Sequence, residues 1–214
     1  MSVELRISEI FYSLQGESNS VGLPTVFVRL TGCPLRCNYC DTSYAFSGGV
    51  KMSLVDILAD VKQYNCNYIC VTGGEPLAQP ACLVLLTQLA DAGFNVSLET
   101  SGALDVSKVD SRIVKVMDLK TPSSSECEKN RYENIEFLTA QDQVKFVIAD
   151  DDDYNWSKKI MNDYNLSARC QVLFSPVVPQ QNPTELADKI LADRLSVRFQ
   201  IQLHKFLWQD VQGK

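Results

Sequence analysis

No apolar stretch in this 214-residue sequence approaches the length of a membrane span, so a helical membrane protein is not expected. The opening MSVELRISEI lacks an apolar h-region, and no secretory signal is expected there. Positive charge is short: 20 Lys and Arg stand against 26 Asp and Glu, for a formal net charge of -6. With a pI near 4.9, bulk charge argues against direct nucleic-acid binding. The sequence shows no internal repeat, no low-complexity tract and no strong break in composition, which points to one domain over 1–214, with room for an insertion. Histidine is almost absent, with His204 alone. A cytoplasmic setting keeps thiols reduced, so the eight cysteines are expected as ligands, reactive thiols or small core residues rather than disulfides.

What is present is 45% hydrophobic residues, enough for a sizeable core. Apolar, β-branched runs read as strands at 25–32, 67–73, 95–102, 114–121, 143–150, 170–177 and 197–205. Helices fall between many of them. Ser53 with Asp56 marks a helix start whose stripe is Leu54, Ile57, Leu58 and Val61. Further helices are expected at 80–92, with Pro80 near the start and Gly93 at the end, at 156–164, and from Asn182–Pro183 to about Asp193. Strands alternating with helices imply parallel βα units. A full barrel needs about 250 residues. The shorter chain predicts an α/β fold with an incomplete, open βα barrel of about six mainly parallel strands. The polar segment 122–137 reads as a variable loop on one rim, and the acidic run 150–153 as a solvated loop favouring the next helix N-terminus.

The chemistry concentrates in CPLRCNYC, residues 33–40. Cys33, Cys37 and Cys40 directly follow the 25–32 strand, at a strand C-terminal end where βα active sites gather. Pro34 and Asn38 suit a wrapped loop. Three thiolates can hold three corners of a four-iron cluster and leave one iron open. Zinc with a remote fourth ligand, from Cys66, Cys70 or His204, is the alternative. Cys70, Cys82, Cys127 and Cys170 read otherwise as small buried residues. In TGGEP (72–76), Gly73 and Gly74 permit close ligand approach and Glu75 offers a carboxylate to an ammonium group; a tight turn with a capping acid is the alternative. Arg29 inside VFVRLTG calls for an anionic partner, either a ligand carboxylate or a neighbouring acid.

CPLRCNYCDT and GGEP resemble the radical S-adenosylmethionine (SAM) superfamily. Together with EIFYSLQGE (9–17), LETSG (98–102) and RFQIQLHKFLW (198–208), they resemble the 7-carboxy-7-deazaguanine synthase family within it. The resemblance implies a radical SAM fold with a short N-terminal substrate-binding extension. It implies a lyase of queuosine and deazapurine biosynthesis that converts 6-carboxy-5,6,7,8-tetrahydropterin to 7-carboxy-7-deazaguanine with loss of ammonia. It also implies a [4Fe-4S] cluster on Cys33, Cys37 and Cys40, with Mg2+ at Thr42. SAM contacts fall on Tyr39, Cys40, Asp41, Gly74, Glu75, Ser101 and Lys120, and Ser175 is a further candidate. Substrate contacts fall on Leu14, Gln15, Gly16, Arg29 and Thr72. Asp118 and Lys145 are expected near these sites, and His204 as a structural residue near the substrate end. A flavodoxin-type electron donor and a homodimer are expected, and the Phe206, Leu207 and Trp208 tail either serves an interface or closes the core, the second being preferred. An activase of glycyl-radical enzymes is the alternative enzyme reading, and a zinc- or cluster-holding structural module lies outside enzymes.

Overall fold

The structure, a computed structural model, describes residues 3–209 and 211–213. It begins with β1 (Glu4–Leu14), which runs antiparallel to β2 (Pro24–Leu30). The short β3 (Val50–Ser53) pairs with the other edge of β1. Helix α1 (Leu54–Lys62) starts where Ser53 Oγ accepts from Asp56 N, and it buries Leu54, Ile57 and Val61. From there the chain alternates as the spacing predicts: β4 (Tyr68–Gly73), α2 (Cys82–Asp91), β5 (Asn95–Thr100) and β6 (Val114–Asp118). Next come β7 (Gln143–Ile148), α3 (Asp151–Asp163), β8 (Gln171–Pro176), α4 (Pro183–Ala192), the two-residue β9 (Arg198–Phe199) and α5 (Leu203–Trp208).

The nine strands of the described residues form one sheet in the order β3-β1-β2-β4-β5-β6-β7-β8-β9. The run from β2 through β8 is the expected series of six parallel strands. β3 and β9 stand at its two ends, so the barrel is open. Along each strand the side chains alternate between two faces. One face packs on the helices in two apolar clusters. The first joins Val26, Val28, Ile69, Val71 and Leu98 to Ile57 of α1 and Leu85 of α2. The second joins Met117, Val144, Phe146 and Phe174 to Ile160 of α3 and Leu186 of α4. Each fully buried aliphatic or aromatic side chain of this kind contributes roughly 1.5–3 kcal/mol. The other face carries Arg29, Thr72, Glu99, Asp118 and Lys145, which line a cavity.

Three departures from the sequence pattern are local. The run 197–205 pairs only at Arg198–Phe199. Gln200 N–H makes the last bond to β8, to Phe174 O at 3.0 Å, while its side-chain amide bonds both Ser18 N and Ser18 O, at 2.7 and 2.9 Å. The acidic run 150–153 is not a solvated loop: Asp150 caps α3, and Asp153 lies in its first turn with no exposure. Segment 122–137, irregular with short helical turns as its polar sequence allows, holds a fully buried Asn134 that bonds Gly102 O, Leu104 O and Val106 N, which is no departure. The C-terminal tail does not close the core, since Phe206 is 77% and Leu207 43% exposed. Among the described residues no helix is long and apolar enough to cross a membrane.

Candidate active site

The cysteine loop leaves β2 through Gly32, whose φ of +100° suits glycine. Arg36 folds back over it, donating to Cys33 O and Leu35 O at 2.8 and 2.6 Å and lying over the Phe46 ring. Cys33, Cys37 and Cys40 are free, half-buried thiols that line a single cavity of about 270 Å³. Burial pushes the Cys37 thiol up to about 11 and raises Cys33 as well, so ligation must displace their protons. Among the described residues no three His, Cys, Asp or Glu side chains converge on a point fit for one metal ion. A cluster does not require that, because each thiolate binds its own iron. Of the other cysteines, Cys66, Cys70, Cys82 and Cys170 are buried, and Cys127 is half-buried. The soft donors, their shared cavity and the lack of a fourth cysteine among its described lining residues fit a [4Fe-4S] cluster with one iron free.

The ends of β4 and β5 press against this loop. A Cβ at Gly74 would sit 2.3 Å from Gly32 O and 2.7 Å from Cys33 Cβ. Glu75 N–H donates to Gly32 O at 2.8 Å. Gly74 and Ser101 line the cavity, but Glu75 does not, and it has no exposure. Its carboxylate is engaged by Leu77 N, Thr100 Oγ1, Ser101 N and Ser101 Oγ, the last two at 2.7 and 2.6 Å. It therefore ties the two strand ends together from behind the wall. Removing it leaves buried donors without an acceptor, at about 1–3 kcal/mol each. Glu75→Ala is expected to lower the melting temperature of the cluster-free chain by about 10 °C. A melt within about 2 °C of wild type would show that the carboxylate is dispensable there.

The β1–β2 side supplies the opposite wall. Gln15 N–H donates to Leu23 O and Gly22 N–H to Gln15 O, which fixes the SLQGE turn. Leu14, Gln15 and Gly16 line the cavity. Glu99 accepts from Thr72 Oγ1 at 2.9 Å and from Gln15 Nε2 at 3.4 Å. Of the alternatives for Arg29, the neighbouring acid is present, since its Nε donates to Glu9 at 2.7 Å; the residue also lines the cavity, against Phe11 and Tyr44. Burial opposes its charge, yet Tyr44, Glu9 and Glu99 around it raise its pKa overall. Thr42 and Asp41 also line the cavity, where Thr42 Oγ1 donates to Asp41 Oδ1 at 2.9 Å. Burial would raise the Asp41 carboxyl, but Lys205 and Thr42 hold it well below the usual range.

A buried ion network crosses the cavity. Lys145 pairs with Glu17 and, at 3.3 Å, with Asp118; Lys120 pairs with Asp118 at 3.1 Å. Tyr39 lines the same region, its hydroxyl 3.2 Å from Thr121 Oγ1. Ser175 is buried with its hydroxyl unpaired and does not line the cavity. His204 does line it, stacked close over Gly16. Glu9, Glu17, Glu99, Gln202 and Lys205 are site residues that the sequence does not single out. Glu99 carries a signal, since it alternates with Val96 and Leu98, which face the helices, and so points to the opposite face. Gln202 and Lys205 carry none, because their segment reads as a strand.

The radical SAM superfamily profile matches residues 27–119. The 7-carboxy-7-deazaguanine synthase of Chlorobaculum tepidum is 42% identical over 219 aligned residues that cover all of both chains. That of Koribacter versatilis is 40% identical over 95% of this chain and 97% of its own. This chain belongs to the 7-carboxy-7-deazaguanine synthase family. A crystal structure of QueE from Escherichia coli shares the fold, with a TM-score of 0.79 over 94% of this chain and 95% of its own, at 22% identity. Membership in the synthase family sets aside the glycyl-radical activase and the structural-module readings. As part of the radical SAM superfamily, the synthase family uses a [4Fe-4S] cluster and SAM.

Proposed function

We propose that the chain converts 6-carboxy-5,6,7,8-tetrahydropterin to 7-carboxy-7-deazaguanine and ammonia. The observation that carries this is one cavity with the cysteine loop on one wall and Gln15, Arg29, Thr72 and Glu99 on the other, in a chain related over its full length to named synthases. Substrate and product differ by one ammonia, so the conversion needs no net oxidant. Bound together and reduced by an external donor, cluster and SAM would supply the one-electron radical chemistry that the ring contraction calls for.

The chain's own residues bind, orient and exclude water. Cys33, Cys37 and Cys40 hold the cluster. Tyr39, Asp41, Gly74, Ser101 and Lys120 surround SAM. Glu75 holds Ser101 in place and so acts on SAM through another residue. Arg29 has its Nε on Glu9 and keeps its two terminal nitrogens for the substrate carboxylate. Gln15, Thr72 and the backbone at Leu14 and Gly16 meet the polar edges of the bicycle. Thr42 is assigned to Mg2+, a hard cation suited to hydroxyl, carboxylate and water oxygens. The chain is taken as one radical SAM domain with its N-terminal extension, cytoplasmic, homodimeric, served by a flavodoxin-type donor and making no direct contact with nucleic acid.

The test is anaerobic turnover with reconstituted cluster, SAM, Mg2+, a reductant and the tetrahydropterin, followed by mass spectrometry. 7-Carboxy-7-deazaguanine is expected, and Cys37→Ala is expected to abolish it. Slow 5′-deoxyadenosine formation that ignores the pterin would remove the substrate assignment and leave the radical chemistry.

A further inference from the structure

Asn38 and Tyr39 lie between the second and third cysteines, and both are held by a segment that contributes no ligand. Asn38 N–H donates to Ser124 O at 3.1 Å. Its side-chain amide donates to Ser123 O at 3.2 Å and to Ser125 Oγ at 2.7 Å. The Tyr39 hydroxyl meets Thr121 Oγ1, and Arg36 N–H, one residue before Cys37, donates to Glu126 Oε1. Ser125 takes a left-handed φ of 62°, which turns the chain back beside Asn38.

The holding segment is itself fixed to the fold. Thr121 Oγ1 donates to Val147 O at 3.0 Å, and Ser124 Oγ to Thr121 O at 2.6 Å. Ser123 N–H donates to Asp153 Oδ1 at 2.9 Å and its hydroxyl to Asp150 Oδ2 at 3.0 Å. Asp153, fully buried, also accepts from Ala149 N at 2.9 Å. A continuous set of hydrogen bonds therefore runs from the end of β7 and the first turn of α3 to the middle of the cysteine loop.

A loop without regular structure must lose conformational freedom to present three thiolates at once. Contacts made by the fold supply that order before any ligand arrives. We infer that Asn38, gripped by residues 121–126, is a positioning residue that keeps the cysteine loop in ligating shape and so sets how long the chain retains its cluster. The inference rests on the reading that this loop holds a [4Fe-4S] cluster.

The test compares wild type, Asn38→Ala, Asn38→Asp and Ser125→Ala after anaerobic reconstitution, scored by iron and sulfide content, visible absorbance and the rate of iron loss to a chelator. Asn38→Ala removes two hydrogen bonds and is expected to speed iron loss roughly tenfold, or about 1.4 kcal/mol. Asn38→Asp, which keeps the size but loses the amide donors, is expected to follow it. Ser125→Ala, with one bond lost, is expected to give about a threefold change. The melting temperature of the cluster-free chain should stay within about 2 °C, because Asn38 is exposed. Iron loss at the wild-type rate in both Asn38 variants overturns the inference. So does iron loss that merely tracks a lowered melting temperature of the cluster-free chain. Wild type that takes up zinc without sulfide overturns the cluster reading itself, and the positioning role with it.

Discussion

Gly16→Ala is expected to lower kcat/KM for the tetrahydropterin about a hundredfold, the scale of an ångström-sized misplacement of binding groups. A Cβ at this position would lie 2.1 Å from His204 Nδ1, 3.0 Å from Cγ and 3.2 Å from Cβ of the same side chain. Rotating the imidazole relieves only the first two contacts. The backbone offers no retreat, because Gly16 O accepts from Leu203 N at 3.0 Å and so ties the SLQGE turn to the start of α5. Either the turn carrying Gln15 moves or the segment carrying His204 does, and both line the cavity. The measurement is a double-mutant cycle. In a His204→Ala background the alanine at 16 meets only another methyl group, and its penalty should shrink to about fivefold. An equal penalty in both backgrounds would show that crowding against His204 is not the cause.

Lys145→Met is expected to cost about 3–5 kcal/mol at neutral pH, because it leaves Glu17 and Asp118 as buried carboxylates that have lost a cation. In a chain of this size that corresponds to a fall of about 10 °C in melting temperature. Burial would raise the Glu17 carboxyl, but Lys145 and Gln202 bring it below its usual 4.5. Its contribution is thus present above pH 4.5 and is lost as pH falls through the lowered folded value. Burial would lower the Lys145 ammonium, but Glu17, Asp118 and Glu99 hold it well above its usual 10.5. That contribution is present below pH 10.5 and is lost only as pH rises through the raised value. The variant's deficit should therefore be widest between these limits and should narrow in acid, and Glu17→Gln combined with Lys145→Met should recover part of it. Melts taken across pH would refute the idea if the deficit were small or independent of pH.

The parallel series was legible because its strands are apolar runs punctuated by helix starts such as Ser53 and Asn182, each signal contained within a few residues. β1 was harder to see: Glu4, Arg6 and Glu9 interrupt ELRISEIFYSL, and its register on β2 shifts between Ile7 and Glu9. The tail alternates like a strand from Val197 to Leu203, but its bonds to β8 end at Gln200, whose side chain meets a remote partner, Ser18. The same division holds in the cavity. The cysteines, Gln15, Arg29, Thr72 and Gly74 stand in short recognisable words and do line it. Glu75 stands in such a word as well, but its direction is set by Thr100 and Ser101, which lie 25 and 26 residues further along the chain. Residues 121–126 gave no hint of their hold on Asn38, because polar side chains satisfied by distant backbone look the same in sequence as polar side chains in water.

The two apolar clusters behind the sheet give the chain two centres of cooperativity. Strands β2, β4 and β5 draw their protection from the first, and β7 and β8 from the second. The halves join where β5 pairs with β6. Local opening follows such boundaries, because a unit that keeps its own core can loosen without undoing its neighbour. The cavity lies across this boundary, with Thr72 and Glu99 on one bank and Asp118 and Lys145 on the other. Any molecule that grips both banks favours the state in which the halves are docked, and so its binding energy is also spent on making two units move as one.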